Sequence, residues 1–206
     1  MENNKKKHWE TVFETKQPNE VSWTQENPKT SLDFIRDTNL DKSAKIIDIG
    51  GGDSKLVDFL LDEGYQSITV LDISANALER AKKRLGKKAE KVNWIVSDIT
   101  EFNPDNTFDI WHDRATFHFL TTPEQIKTYI ETAKKSVTGF MTIGTFSENG
   151  PKKCSGLEIK QYTETELEHQ LSDGFKKLKC ITEDHITPFE TKQNFLFCSF
   201  KRENLN

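Results

Sequence analysis

The stretch "IIDIGGGDSKL", residues 46–56, sets three consecutive glycines directly after a β-branched apolar run and an acid. Glycine loses more conformational freedom on folding than any other residue, so something must approach that backbone closely enough to offset the loss. "AKIIDIG" (44–50) reads as a short buried strand, and Ser54 to Glu63, with Leu56, Phe59 and Leu60 on one face, reads as a helix. Gly51-Gly52-Asp53-Ser54 turns the chain between them. A bare turn of this kind lets a ligand sit against the chain, with the unpaired N–H groups of the helix start beside it.

The pattern repeats outward from this turn. "QSITVLDI" (66–73), "KVNWIVSDI" (91–99), "FDIWHD" (108–113) and "TGFMTIGTF" (138–146) are further strand candidates. Between most of them lie helical patterns: Ser74 to Leu85 ends at Gly86 as the previous helix ends at Gly64, and Thr122-Pro123-Glu124-Gln125 opens a third. Strands alternating with helices predict βαβ units and a parallel sheet covered on both faces, with ligands bound at the carboxyl ends of its strands. After residue 146 come the loop "ENGPKKCSG", a helix opening at the capping box Thr163-x-x-Glu166, and two strands, "FKKLKCITEDHI" and "NFLFCSF", joined through "HITPFETKQNF" (185–195). With no helix between them, they predict an antiparallel pair at the sheet edge.

Composition narrows the function. The 206 residues are 34% hydrophobic and 30% charged, with a formal net charge of -4, which suits one solvated domain and gives no overall attraction for nucleic acid. Lys5-Lys6-Lys7 reads as a solvated terminus rather than a nucleic-acid or membrane patch. No apolar h-region follows "MENNKKKHWE" and no run approaches a membrane span, so neither export nor insertion is expected. Cys154, Cys180 and Cys198 are odd in number and far apart, which predicts no disulfide framework, no metal site and a reducing, cytoplasmic setting.

The acids at the strand ends define the ligand. No third glycine completes G-x-G-x-x-G and no Gly-Lys-Ser/Thr follows, so a pyrophosphate is disfavoured. Asp48 suits a cationic group, such as a sulfonium or an amine. Asp72, followed by Ile73, can accept hydrogen bonds from both ribose hydroxyls. Asp98 and Ile99 suit an adenine amine and ring. Together they favour an adenosine carrying positive charge.

In order and spacing, "IIDIGGGDS", "VLDIS", "SDIT" and "FDIWHDRATFHFL" resemble the class I S-adenosylmethionine (SAM)-dependent methyltransferases. The resemblance covers residues 40–146 by motif and the rest by strand pattern, with Ser54 where many members carry a further glycine. It implies an α/β, Rossmann-like fold: a doubly wound, mostly parallel seven-stranded sheet with helices on both faces and an antiparallel C-terminal hairpin. One domain is expected over 1–206, a helical cap (1–40) on an α/β core (41–206). By resemblance Asp48, Gly50 and Gly52 line the methionyl side, Asp72 and Ile73 the ribose, Asp98 and Ile99 the adenine, and His112 or Asp113 lies beside the methionine portion.

"HWETVFETKQPNEVSWTQ" together with "WHDRATFHFL" looks like the thiopurine and thiol methyltransferase branch, and also like small bacterial methyltransferases and some protein-lysine methyltransferases. Ala115 stands where those relatives place a glycine after the Asp113-Arg114 pair. Trp9, Phe13, Trp23 and Phe117 are either core or an aromatic wall facing a sulfonium, and Gln25 is either a loop residue or a partner for the methionyl carboxylate. His112, Asp113 and Arg114 are the catalytic candidates: His112 to take a proton, Arg114 to pair with Asp113 or to hold an anionic acceptor or the cofactor carboxylate. His118 reads as a core histidine, with removal of a proton from a thiol or amine acceptor as its alternative role. Cys154 is either inert or an acceptor-side thiol whose pKa Lys152 and Lys153 lower.

The expected activity is methyl transfer from SAM to a small thiol-like or other heteroatom acceptor, by a monomer or dimer with no nucleic-acid or membrane partner. The alternatives are a protein-lysine N-methyltransferase, with Phe117 and Tyr162 guiding the amine, and a non-catalytic SAM-binding protein. A glycine-turn dehydrogenase is a more distant one.

Overall fold

A computed structural model describes residues 2–203. Five parallel strands carry the first part of the chain: β1 (Lys45–Ile49), β2 (Ser67–Asp72), β3 (Val92–Val96), β4 (Phe108–Arg114) and β5 (Val137–Phe146). A short hairpin, β6 (Lys153–Cys154) and β7 (Leu157–Glu158), follows, and the long antiparallel pair β8 (Phe175–Ile186) and β9 (Lys192–Arg202) closes the edge. The main sheet has seven strands in the order β3-β2-β1-β4-β5-β9-β8, with β9 antiparallel to β5. The predicted doubly wound sheet with its C-terminal hairpin is therefore the fold.

The helices are α1 (Glu2–Thr15), α2 (Lys29–Arg36), α3 (Leu56–Asp62), α4 (Ala75–Leu85), α5 (Pro123–Ser136) and α6 (Glu164–Leu171). Side chains alternate across a strand, so in β1 Ile46 packs with Leu32, Leu60 and Leu78 of α2, α3 and α4, while Ile47 packs on the other face with Tyr129 and Leu167 of α5 and α6. Local chemistry starts the helices where the sequence places them. Ser74 accepts from the Ala77 N–H at the head of α4, and Thr122–Gln125 and Thr163–Glu166 form capping boxes on α5 and α6.

Three expectations change. β3 stops at Val96, so Asp98 and Ile99 lie in the loop beyond its tip rather than on the strand. Cys180 and Cys198 face each other in the β8–β9 register and are disulfide-bonded, whereas the sequence reading expects no pairing. Cysteine spacing misses this pair because hairpin register, not separation along the chain, brings the two together. Lys5 is half-buried, with Nζ donating to the Phe119 carbonyl at 3.2 Å, so the lysine run is not wholly solvated. Among the described residues no helix is long and apolar enough to cross a membrane, and no group of three or more His, Cys, Asp or Glu side chains is placed to hold a metal ion.

Candidate active site

A cavity of about 810 Å³ lies over the carboxyl ends of the central strands, within the size range of small-molecule sites. Asp48 and the glycines form its floor, with Asp72 and Ile73 beyond β2, Asp98 and Ile99 beyond β3, and His112, Arg114 and Thr116 at the end of β4. Trp9, Val12 and Phe13 of α1, with Trp23 and Gln25 of the following loop, form the roof. Trp9 lies edge-on to Trp23 and Phe119, with ring centroids 5.5 and 5.2 Å apart.

The glycines meet a need the sequence does not reveal. Gly50 and Gly52 adopt φ of +65° and +45°, the left-handed region open to glycine at little cost. A Cβ on Gly50 would collide with the Thr116 hydroxyl; one on Gly51 would sit 2.5 Å from Asp48 Oδ2, and one on Gly52 2.9 Å from Asp72 Oδ2. What presses on this backbone is thus the protein's own side chains, so the expectation that ligand approach alone demands the glycines is corrected.

Asp48 and His112 are both buried and bonded, Nδ1 to Oδ1 at 2.7 Å. With a carboxylate accepting, the hydrogen sits on Nδ1; Nε2 has no partner among the described residues. Asp72 accepts from the Ser74 N–H at 2.8 Å. Burial, reinforced by the negative charges of Asp48 and Glu10, pushes Asp72 up to about 7. Asp98 accepts from the Thr100 N–H and hydroxyl at 2.8 and 2.7 Å.

Arg114 and Asp113 point apart, as adjacent strand residues must. Asp113 accepts from the Tyr129 hydroxyl at 2.8 Å and from the Thr116 and Phe117 N–H groups at 3.1 Å. It is fully buried, does not line the cavity and, raised to about 6 by burial, positions the turn after β4. The catalytic assignment of Asp113 and the Asp113–Arg114 ion pair are both corrected by this geometry. Arg114 instead donates Nη1–H to the Trp23 carbonyl at 3.0 Å and lies 4.7 Å over the Phe195 ring. Phe117 and Tyr162 are likewise core residues, packed on each other and away from the cavity.

Cys154 lines the cavity but is buried, and burial pushes its thiol up to about 12, against the expected lowering. Lys153 is turned to Glu158 at 2.7 Å. His118 is buried, stacked on Phe146 and pushed down to about 3 by burial and by Arg114, so it stays neutral in the core. One contributor escaped the sequence reading. Glu10 of α1 accepts from the Ser74 hydroxyl and the Ala75 and Asn76 N–H groups at 2.8–3.0 Å, fastening the roof to the amino end of α4. No sequence signal links the two, because they lie 64 residues apart.

Residues 46–138 match the family described as a methyltransferase domain. Among curated relatives, the chain is 28% identical over 119 residues to the eEF1A lysine and N-terminal methyltransferase of Mus musculus, covering 57% of this chain and 17% of that protein. It is 32% identical over 124 residues to the malonyl-[acyl-carrier protein] O-methyltransferase of Anoxybacillus flavithermus, covering 58% and 47%. The chain thus spans less than half the length of either relative. Among solved structures, one from work on conversion of a disulfide bond into a thioacetal group during echinomycin biosynthesis superposes with a TM-score of 0.76 at 14% identity, over 96% of this chain and 93% of the other. The N-methyltransferase NodS of Bradyrhizobium japonicum WM9, in complex with S-adenosyl-L-homocysteine (SAH), gives 0.68 at 18% identity, over 87% and 90%. These structures share the methyltransferase fold with this chain.

Proposed function

We propose that the chain is a SAM-dependent methyltransferase acting on a small thiol-like or other heteroatom acceptor, with residues 1–40 capping the 41–206 core. The observation that carries the reading is the pair of buried carboxylates, Asp48 and Asp72, flooring one cavity beside a glycine turn. Negative charge that burial disfavours favours an incoming cation and opposes a pyrophosphate.

The residues present fit the cofactor. Asp72 and Ile73 would hold the ribose, Asp98 and Ile99 the adenine, and Asp48, Gly50, Gly52 and Gln25 the methionyl portion. Trp9, Phe13 and Trp23 offer aromatic faces to a sulfonium. SAM, when bound, supplies an already activated methyl group. The chain's own part is to align the acceptor and exclude water, which the aromatic roof does. His112 Nε2, without a partner among the described residues while Nδ1 donates to Asp48, would take an acceptor proton.

The thiol-like acceptor rests on the likeness of the amino-terminal segment and "WHDRATFHFL" to the thiopurine and thiol branch. The lysine methyltransferase among the relatives favours a protein-lysine acceptor as the second reading. Incubation with labelled SAM and separate pools of small thiols and cell protein distinguishes them. Label in the small-molecule pool supports the first reading and label in protein the second. Calorimetric binding of SAH without any transfer makes the chain a non-catalytic SAM-binding protein, and absence of SAH binding removes the cofactor assignment.

A further inference from the structure

The cavity carries both signs of charge. Asp48, Asp72 and Asp98 lie on its β1–β3 side together with Arg80, Lys83 and Arg84 of α4, and Arg114 lines it at the tip of β4. Its pairing differs from that of Arg36 and Arg84. Arg36 is bonded to Asp33 and Glu63, and Arg84 to Asp53 and Asp58. Arg114 has one hydrogen bond, to a backbone carbonyl, and its buried Nε and Nη2 atoms have no partner among the described residues.

No carboxylate is bonded to the guanidinium, although the charges of Glu183 and Asp48 act on it through space. Asp113 is committed to Tyr129 and the turn, and Glu183 is hydrogen-bonded to Thr30. The Cys154 thiol is held neutral by burial. Burial pulls Arg114 down to about 10, which leaves it charged near neutral pH. A buried charge without a partner is strongly disfavoured, and an arriving anion relieves it. Nε and Nη2 form the side-on edge of the guanidinium, whose two parallel N–H bonds match one carboxylate or phosphate group. Around it stand Trp23, Phe119 and Phe195, an apolar surround.

We infer that the methyl acceptor carries an oxyanion, a carboxylate or phosphate on an apolar body, and that Arg114 is the specificity residue that binds it. Because the unpaired edge is covered, engagement entails a swing of the half-buried side chain towards the cavity it already lines. The inference rests on the proposed methyltransferase reading and narrows it: a cationic lysine side chain would meet repulsion at the same place.

The test uses the whole chain saturated with SAH, with benzoate and phenyl phosphate as anionic probes and benzamide as the neutral match, followed by calorimetry. Expected is binding of the anions at least about tenfold tighter than benzamide, lost in Arg114→Gln and partly kept in Arg114→Lys. Arg114 also holds the Trp23 carbonyl of the roof, so both variants are compared with wild type at saturating SAH. Equal binding of benzoate and benzamide by the wild type overturns the inference, as does anion binding that survives in Arg114→Gln. So does an Arg114→Gln chain that loses SAH affinity but keeps that for 5′-methylthioadenosine, because the guanidinium would then serve the cofactor carboxylate. The wild-type comparison stands even if Arg114→Gln fails to fold. Failure of the wild type to bind SAH at all sinks the methyltransferase reading instead, and is read before any probe is added.

Discussion

Ala115 adopts φ of +67°, a left-handed conformation that costs a residue with a Cβ about 1 kcal/mol. The resemblance read from the sequence expects glycine at this position, and the conformation supplies a reason: the Ala115 N–H donates to the Gly144 carbonyl at 2.8 Å while the chain turns sharply out of β4 towards Thr116. Ala115→Gly should therefore stabilise the chain by about 0.5–1 kcal/mol, read as a higher midpoint in urea; an unchanged or lower midpoint would count against strain at this turn. At Gly50 the same logic runs in reverse. A Gly50→Val side chain would meet Thr116 before it met any ligand, so loss of binding in that variant reports on folding as much as on the site.

Two contacts tie elements together, one at the site and one at the sheet edge. Glu10 joins α1 to the amino end of α4, where a carboxylate gains from the unpaired N–H groups and the helix dipole. Glu10→Gln should weaken that attachment by about 0.5–1 kcal/mol, seen as faster hydrogen exchange over residues 4–15 and weaker SAH binding. Unchanged exchange would mean that the aromatic contacts alone seat the helix. At the far edge, the Cys180–Cys198 bond ties β8 to β9, with Cys198 fully buried. Reducing it should lower stability by about 2–3 kcal/mol, measured as a drop in melting temperature with dithiothreitol, and a shift no larger than that of a Cys180→Ser, Cys198→Ser control would remove the bond's role.

Over the whole molecule, the buried acids set a distinctive pH dependence. Asp72, at about 7, and Asp113, at about 6, are raised above their unfolded values, so the folded state holds protons that the unfolded state releases. Their contribution to stability is fully present below about pH 4 and is lost as pH rises through 6 and 7. His118, depressed to about 3, works oppositely: its contribution is present above about pH 6.5 and lost on acidification. Asp72→Asn removes one of these terms alone. The melting temperature of the ligand-free variant should gain on wild type as pH rises from about 5 to 8, while wild-type SAH affinity should increase over the same interval and that of the variant should not. Parallel profiles for the two proteins would contradict the assigned shift.

The strands, their order of appearance and the capped helices were legible in the sequence, because β-branched runs, apolar periodicity and capping residues act over a few neighbours. The acids at strand ends were legible for the same reason: the topology of a parallel sheet sends successive strand tips to one side. The tertiary structure alone decided that Asp113 faces the core while Arg114 faces the cavity, that Thr116 and not only a ligand crowds Gly50, and that Cys180 meets Cys198. It also decided that Glu10 reaches Ser74 and Asp48 reaches His112, each across 64 residues. Local propensity fixes which residues form an element, but which side chain meets which depends on the register and packing of elements distant in the chain, and there the energies of burial and hydrogen bonding are settled together.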